Sequence, residues 1–379
     1  MLTVLSPSSE QRLHLIAQAR QAVMQDGKSP PGGALADSWI ERSWQRCLAS
    51  GQRPDQAVGF ELMSPQLLRR TEEANHVLVQ AARPVLEKLG VAIASTHYFA
   101  ILTNAQGVVV DVNGSIDRRD RRADLITRIG VDLSEQCVGT TAIGAALTEL
   151  QPVWLHRGEH FFNANSAYSC AGAPVFGPDG RCAGMLDLTG VDAVERPELK
   201  HLVAQSARHI ENALMQGRPH ELLIRLNWSS PSLGEDSDGL VCLDADGWVT
   251  GANPAARQMV PALQAGHPAA VHCSELFAMP YGLLFDAAKA DTTQAYPQAI
   301  DVPLWSGLRL HALPLLQGHA AATQRLTGRA ASHLPLKDVE TALIRKAVSD
   351  ARGNVMKAAR TLGISRATVY RRLGSKPGK

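Results

Sequence analysis

Apolar positions recur at helical spacing in the first part of the chain, and the period predicts helices over 11–25, over 36–50 and from 65–79 onward. The Pro/Gly string KSPPGGA at 28–34 separates the first two. Between 92 and 187 the texture changes to short alternating runs. HYFAILTNAQGVVVDV folds back at Asn104–Gly107, and APVFGPDGRCAGMLDLTG does so at Pro178-Asp179-Gly180. A short helix is expected over 142–150. An amphipathic one follows over 198–215, with Leu199, Leu202, Val203, Ile210 and Leu214 on one side. The polar Pro/Ser/Gly-rich stretch 217–238 reads as a linker with a helical patch. GLVCLDADGWVTGANPAARQMV then predicts strand, Asp-Gly turn, strand and helix, while 313–334 shows no strand pattern. These shifts divide the chain into a helical segment 1–75, an α+β domain 76–217, a linker 218–237, a short α+β domain 238–312, a linker 313–334 and an all-helical terminus 335–379.

The terminus LPLKDVETALIRKAVSDARGNVMKAARTLGISRATVYRRLGSKPGK predicts three helices. The first spans 337–350 with Val339, Leu343, Ala347 and Val348 inward, and Gly353 and Asn354 end it and cap the next. The second spans 355–362, where Ala358 and Ala359 permit close helix contact. Gly363 supplies a tight turn and Ser365 caps a third helix over 366–373. At about 100° per residue, Val369 and Leu373 face the core, Ala367, Thr368 and Arg371 face away, and Tyr370 and Arg372 flank. Arg366 lies nearer the core side, but in the first turn its long side chain fans outward. Arginine can grip guanine O6 and N7, and Thr or Ala can meet bases or the thymine methyl. The DNA-contacting set expected is therefore Lys357, Ser365, Arg366, Ala367, Thr368, Tyr370, Arg371 and Arg372, with Lys357, Arg360 and Arg372 neutralising phosphates. A basic hairpin used only for packing or RNA charge contact competes with this. The coincidence of glycine turn, serine cap, alanine spacing and basic face favours DNA.

Charge strengthens that picture. The chain carries a net +2, but from Lys337 to the end eleven Lys or Arg and three acids give +8, leaving −6 on the rest. A basic module on an acidic body is the outline of a nucleic-acid reader joined to something else. With 379 residues, 45% apolar and 20% charged, the composition fits a multidomain globular protein. No run is apolar enough to predict a membrane span, and the start MLTVLSPSSEQRLHL has no signal-peptide pattern. Six cysteines without a CxxC pair fit a reducing cytoplasm better than disulfides or structural zinc.

A family is recognisable from these residues. NVMKAARTLGISRATVYRRL closely resembles the Fis-type helix-turn-helix that ends many bacterial enhancer-binding regulators, which implies a dimer on an inverted repeat with half-sites about one DNA turn (~34 Å) apart. SWIERSWQRC followed by GQRPD resembles the N-terminal segment of acetoin-catabolism-type regulators. CVGTTAIGAALTELQPV and GEHFFNANSAYSCAGAPVFGPDGRCAGMLDLTG are similar to their GAF sensor domain, so the match spans 37–215. GLVCLDADGWVTGANPAA resembles the opening of a PAS domain, and 238–312 is short enough to predict a trimmed or degenerate one. The fold class expected is multidomain α+β: GAF-like and PAS-like antiparallel-sheet sensor domains followed by the helix-turn-helix.

A sensor pocket needs apolar walls and a few convergent polar groups. Near the motifs stand Tyr98, Cys137, Thr140, Glu159, His160, Phe161 and Cys170, which form the expected ligand set. Each has a plainer alternative. Gly139, Thr140 and Gly144 can shape a helix start, the cysteines can be small core fillers, and His160 can be a satisfied structural histidine. The histidines of HRGEH are four apart, but Gly158 and the strand context argue against a metal-binding helix, so no metal or cofactor is expected beyond an unknown small-molecule effector.

Regulators of the resembled family usually carry an AAA+ ATPase. Its phosphate loop GxxxxGK[ST] has one partial echo here, Gly27-Lys28-Ser29, with alanine at position 22 where the first glycine belongs, and no GAFTGA-like loop follows. The expectation is a cytoplasmic, dimeric, ligand-responsive transcription regulator that is not ATP-driven. It would act on double-stranded DNA by occupancy, by contact with RNA polymerase or through an ATPase-bearing regulator. The alternative is an antagonist that binds full-length relatives. No G-x-S-x-G, HExxH or dinucleotide fingerprint supports an enzyme.

Overall fold

The computed structural model describes residues 9–24, 38–60, 62–264, 271–291 and 299–317, together with positions 348, 355, 356, 359 and 369. The chain forms two compact units, 1–317 and 318–379.

The first unit is built on two five-stranded antiparallel sheets. In the first sheet the order is β2-β1-β5-β4-β3, from β1 (Tyr98–Asn104), β2 (Val109–Gly114), β3 (Val153–His156), β4 (Tyr168–Phe176) and β5 (Cys182–Val191). The β1–β2 turn forms where the sequence predicts it. The Asn104 side chain accepts the N–H groups of Gln106 and Val108, both at 3.0 Å, and Gly107 sits at φ +87°. Tyr98, Ala100 and Leu102 face one side of the sheet and Phe99 and Ile101 the other, and all are buried because both faces are covered.

One face packs against α3 (Pro65–Ile93) and α7 (Leu199–Gly217). Pro84 inside α3 costs about 3 kcal/mol in an ideal helix. Burial of Leu78, Leu86, Leu89 and Ile93, at about 1.5–3 kcal/mol for each large side chain, outweighs it. The opposite face is covered by α4 (Arg121–Ile126), α5 (Glu135–Val138) and α6 (Ala142–Glu149). The same core takes in α1 (Ser9–Met24) and α2 (Ser38–Ala49) through Ile16, Ala19, Trp39, Ile40 and Trp44. The boundary expected at 75–76 is therefore not structural. α3 runs through it, and the N-terminal helices share one core with the sheet.

The second sheet, order β8-β7-β6-β10-β9, comprises β6 (Leu222–Asn227), β7 (Gly239–Leu243), β8 (Val249–Ala252), β9 (Ile300–Pro303) and β10 (Arg309–Leu316). Around it lie α8 (Pro254–Met259), α9 (Cys273–Leu276) and α10 (Gly282–Asp291). Two expectations are corrected here. The stretch 218–237 is not a linker, because β6 is the middle strand, with Leu222, Leu223, Ile224 and Leu226 all buried. The domain also does not stop at 312, since β10 pairs Leu313 with Arg225 and continues to Leu316. With β6 and β10 included the sheet has five strands and is not a trimmed fragment.

In the second unit Ala359 and Val369 are buried, with Val348 and Val355 packed against them. Val348 and Val369 are positions that the helical period turns inward, and Ala359 is one of the small residues expected at a close helix contact. All eight expected DNA-contacting residues lie outside the described residues.

Candidate functional site

Register decides what gathers on the inner face of the first sheet. Ile101 pairs with Asp187, and Cys170 with Thr189. Cross-strand partners share a face, so the four side chains converge with Tyr168, two positions from Cys170. Above them lie Ile126 of α4, Leu133, Val138 of α5, Ala142 and Ile143 of α6, and the loop residues Phe60, His160 and Asn165. The path from α5 to α6 depends on Gly139, whose φ is +68° and where a Cβ would stand 2.9 Å from the Phe162 ring. Thr141 then caps α6 by accepting the Gly144 N–H at 3.2 Å. Together these groups wall a cavity of about 30 Å³, room for about two water-sized groups. Apart from Phe60 and Thr141, which are half-buried, its walls are fully buried side chains.

A chain of polar atoms crosses this apolar site. His160 Nδ1 lies 2.9 Å from the Arg157 carbonyl, and its Nε2 lies 3.5 Å from Cys170 Sγ. Cys170 Sγ is 3.3 Å from Thr189 Oγ1, which in turn bonds Asp187 Oδ2. A carbonyl only accepts, so the ring carries its proton on Nδ1 and Nε2 is the acceptor. Burial holds His160 down to about 4 and leaves it neutral. Burial pushes Asp187 up to about 7, with the Thr189 hydrogen bond pulling against it. Asp187 Oδ1 is buried with no hydrogen-bond partner among the described residues. Such an atom costs about 1–3 kcal/mol, and it is the most costly feature of the cavity.

Of the seven residues expected to line a pocket, His160 and Cys170 do so. Tyr98 lies on the opposite face, where its hydroxyl donates to the Val194 carbonyl at 2.9 Å. Cys137 is exposed on α5. Thr140 is buried toward α2, its Oγ1 2.7 Å from Ser43 Oγ. Phe161 packs edge-on against Phe162, ring centroids 5.1 Å apart. Glu159 turns outward to Arg12 at 2.9 Å and accepts the His156 N–H at 2.6 Å, while burial pushes its carboxyl up to about 7 despite Arg12. The residues that sequence reasoning missed are Asp187, Thr189 and Asn165. Their one signal was an Asp and a Thr two apart in the apolar strand MLDLTG, hence on one face.

The loop that delivers His160 is gripped from α1 and α2. Arg20 donates to the carbonyls of Gly158 at 2.9 Å, Phe161 at 3.0 Å and His160, and to Asn163 Oδ1 at 2.8 Å. Trp44 Nε1 donates to the Glu159 carbonyl at 2.8 Å. A larger cleft of about 560 Å³ opens between α7, α8 and Trp228. Its buried polar groups already have protein partners: Glu211 accepts the Phe176 N–H, and Asn253 bonds Asn212.

Comparison with known proteins follows the same division. The chain is 30% identical over 263 residues to the acetoin catabolism regulatory protein of Cupriavidus necator, covering 67% of this chain and 38% of that protein. It is 30% identical over 176 residues to the acetoin dehydrogenase operon transcriptional activator AcoR of Bacillus subtilis (46% and 29% covered). It is 29% identical over 199 residues to the propane 2-monooxygenase operon transcriptional activator MimR of Mycolicibacterium goodii (52% and 33%). The chain thus spans less than two fifths of the length of these relatives. Among solved structures, the E. coli DhaR(N)–DhaL complex is similar at 16% identity and a TM-score of 0.45, covering 74% of this chain and 99% of that one. Residues 335–374 match the family described as bacterial regulatory protein, Fis family. Residues 15–212, more than half of the 379, match the MimR N-terminal domain. The gripping helices, His160 and Asp187 all fall within that second match, and the chain belongs to the family defined by the MimR N-terminal domain, here joined to a Fis-family terminus.

Proposed function

We propose that this protein is a sequence-specific DNA-binding transcription regulator that responds to a small molecule held by its first sheet domain. The observation that carries the reading is the joining, in one chain, of a Fis-family terminus to a buried cavity with an unpartnered polar group. The names of the relatives, regulators and activators of catabolic operons, support it.

In this reading the helix 366–373 enters the major groove. Arg366, Ala367, Thr368 and Arg371 meet base edges, Tyr370 and Arg372 flank, Lys357 neutralises a phosphate and Ser365 caps the helix. Burial of Val369 beside Ala359 supports the partition, since it fixes which side is held. The protein acts as a homodimer, and the ligand shifts its fit to the half-sites; a coupling of about 1–3 kcal/mol would change occupancy severalfold to a hundredfold. It needs no ATP-driven step of its own, because the one GK[ST] string lacks the leading glycine of a phosphate loop.

Genome-wide mapping of bound sites tests the reading. A recurring inverted repeat with half-site centres about one turn (~34 Å) apart is expected. Scattered sites with no shared sequence would overturn it.

A further inference from the structure

Granting that the inner-face cavity is a ligand site, its walls also limit what it can hold. We propose that Asp187 is the specificity-determining residue of this cavity, anchoring an uncharged molecule of a few heavy atoms through a hydroxyl or carbonyl group, and that the cavity rejects carboxylates.

Three observations converge on this. First, Asp187 Oδ1 is a fully buried polar atom without a partner, and the side chain lines the cavity. A core that only needed filling would hold an apolar side chain of the same shape here, since that removes the penalty of the unsatisfied oxygen. Second, the remaining polar groups are committed. Thr189 bonds Asp187 and Cys170, His160 bonds the Arg157 carbonyl and Cys170, and Asn165 Nδ2 donates to the Val138 carbonyl. Asp187 Oδ1 is the fully buried oxygen among them that has no partner in the described residues. Third, among the described residues no Lys or Arg lines the cavity and His160 is the one basic group there, held neutral by burial. A ligand carboxylate would meet Asp187 with no counter-charge among the described residues, whereas a hydroxyl can pair with it whether or not its proton is present, and a carbonyl can accept that proton when it is there.

The decisive variant is Asp187→Leu, close to Asp in shape and apolar. The probes are methanol and formate, small enough for this cavity and differing in an alcohol against a carboxylate, added to the full-length chain and followed by saturation-transfer NMR titration. Methanol is expected to bind wild type, and formate at least about tenfold more weakly. Asp187→Leu is expected to melt at a higher temperature than unliganded wild type and to lose methanol by at least about tenfold. A structural role for Asp187 would lower the melting temperature instead. The proposal is overturned if methanol does not bind, leaving a water-filled cavity, if formate binds as well as methanol, or if Asp187→Leu is destabilised or unfolded or keeps wild-type affinity. Operator binding, measured in parallel, separates the two claims. Methanol binding that leaves operator affinity unchanged defeats ligand-responsive regulation alone, and operator binding without methanol binding defeats this inference alone.

Discussion

Burial sets the behaviour of the titrating side chains around the cavity. Asp187 keeps its proton to about pH 7 when folded, against an ordinary value of 3.8. The folded state therefore binds more protons than the unfolded chain between those values, and its stability falls as pH rises through that window and is level above it. Relative to wild type, Asp187→Leu should gain stability progressively from about pH 4 to pH 7, by at most about 4 kcal/mol, in urea melts at several pH values. His156 and His160, both held down to about 4, have the opposite sign: their stabilising contribution is complete above about 6.5 and is lost as pH falls toward 4. The thiols divide by burial as well. The Cys170 thiol is pushed well up by burial, while Cys137 is exposed. Brief treatment with iodoacetamide should label Cys137 and spare Cys170 in peptide mass spectra. Residue type alone placed both cysteines among the pocket candidates. It could not tell them apart, because their difference lies in which face of which element they occupy.

Among the elements, the loop carrying His160 is held by Arg20, which takes three of its carbonyls, with Trp44 and Arg12 adding contacts at Glu159. Arg20→Ala leaves the Gly158, His160 and Phe161 carbonyls without their shared donor, and a loss of about 2–4 kcal/mol is expected from urea unfolding. Arg20→Lys should recover only part of it, since a single ammonium cannot reproduce the planar guanidinium fork. In the terminal unit, Val369→Asp would bury a charge beside Ala359 and should abolish operator binding in a gel shift. In the terminal unit the inward placing of Val348 and Val369 was legible in the sequence because the spacing that sets it is a local signal. The β1–β2 turn was legible for the same reason. β6 was not, because LLIRLN is a short apolar run between Arg218, His220 and Glu221 on one side and a Ser/Pro/Gly stretch on the other. Only its pairing with β7 and β10 makes it a central strand. The cavity was hidden for a related reason. Asp187 reads as the polar member of an alternating strand until register sets it opposite Ile101, some distance away in the chain, under a lid of short helices.

For the whole molecule, the telling feature is the division of charge and chemistry. The +8 terminus stands against −6 elsewhere, and the cavity belongs to the acidic part. Such a terminus should release counterions on binding, so operator affinity should fall steeply with salt. The central claim is that the last helix presents its arginines to a DNA groove, and equilibrium anisotropy of the full chain on its mapped operator over a salt series measures this directly. The account predicts tight, salt-sensitive binding. Arg366→Ala with Arg371→Ala should weaken it by about 1–3 kcal/mol for each arginine–base pairing removed, with a shallower salt slope and less discrimination against a scrambled site. Unchanged affinity, slope and discrimination in the double variant would contradict it.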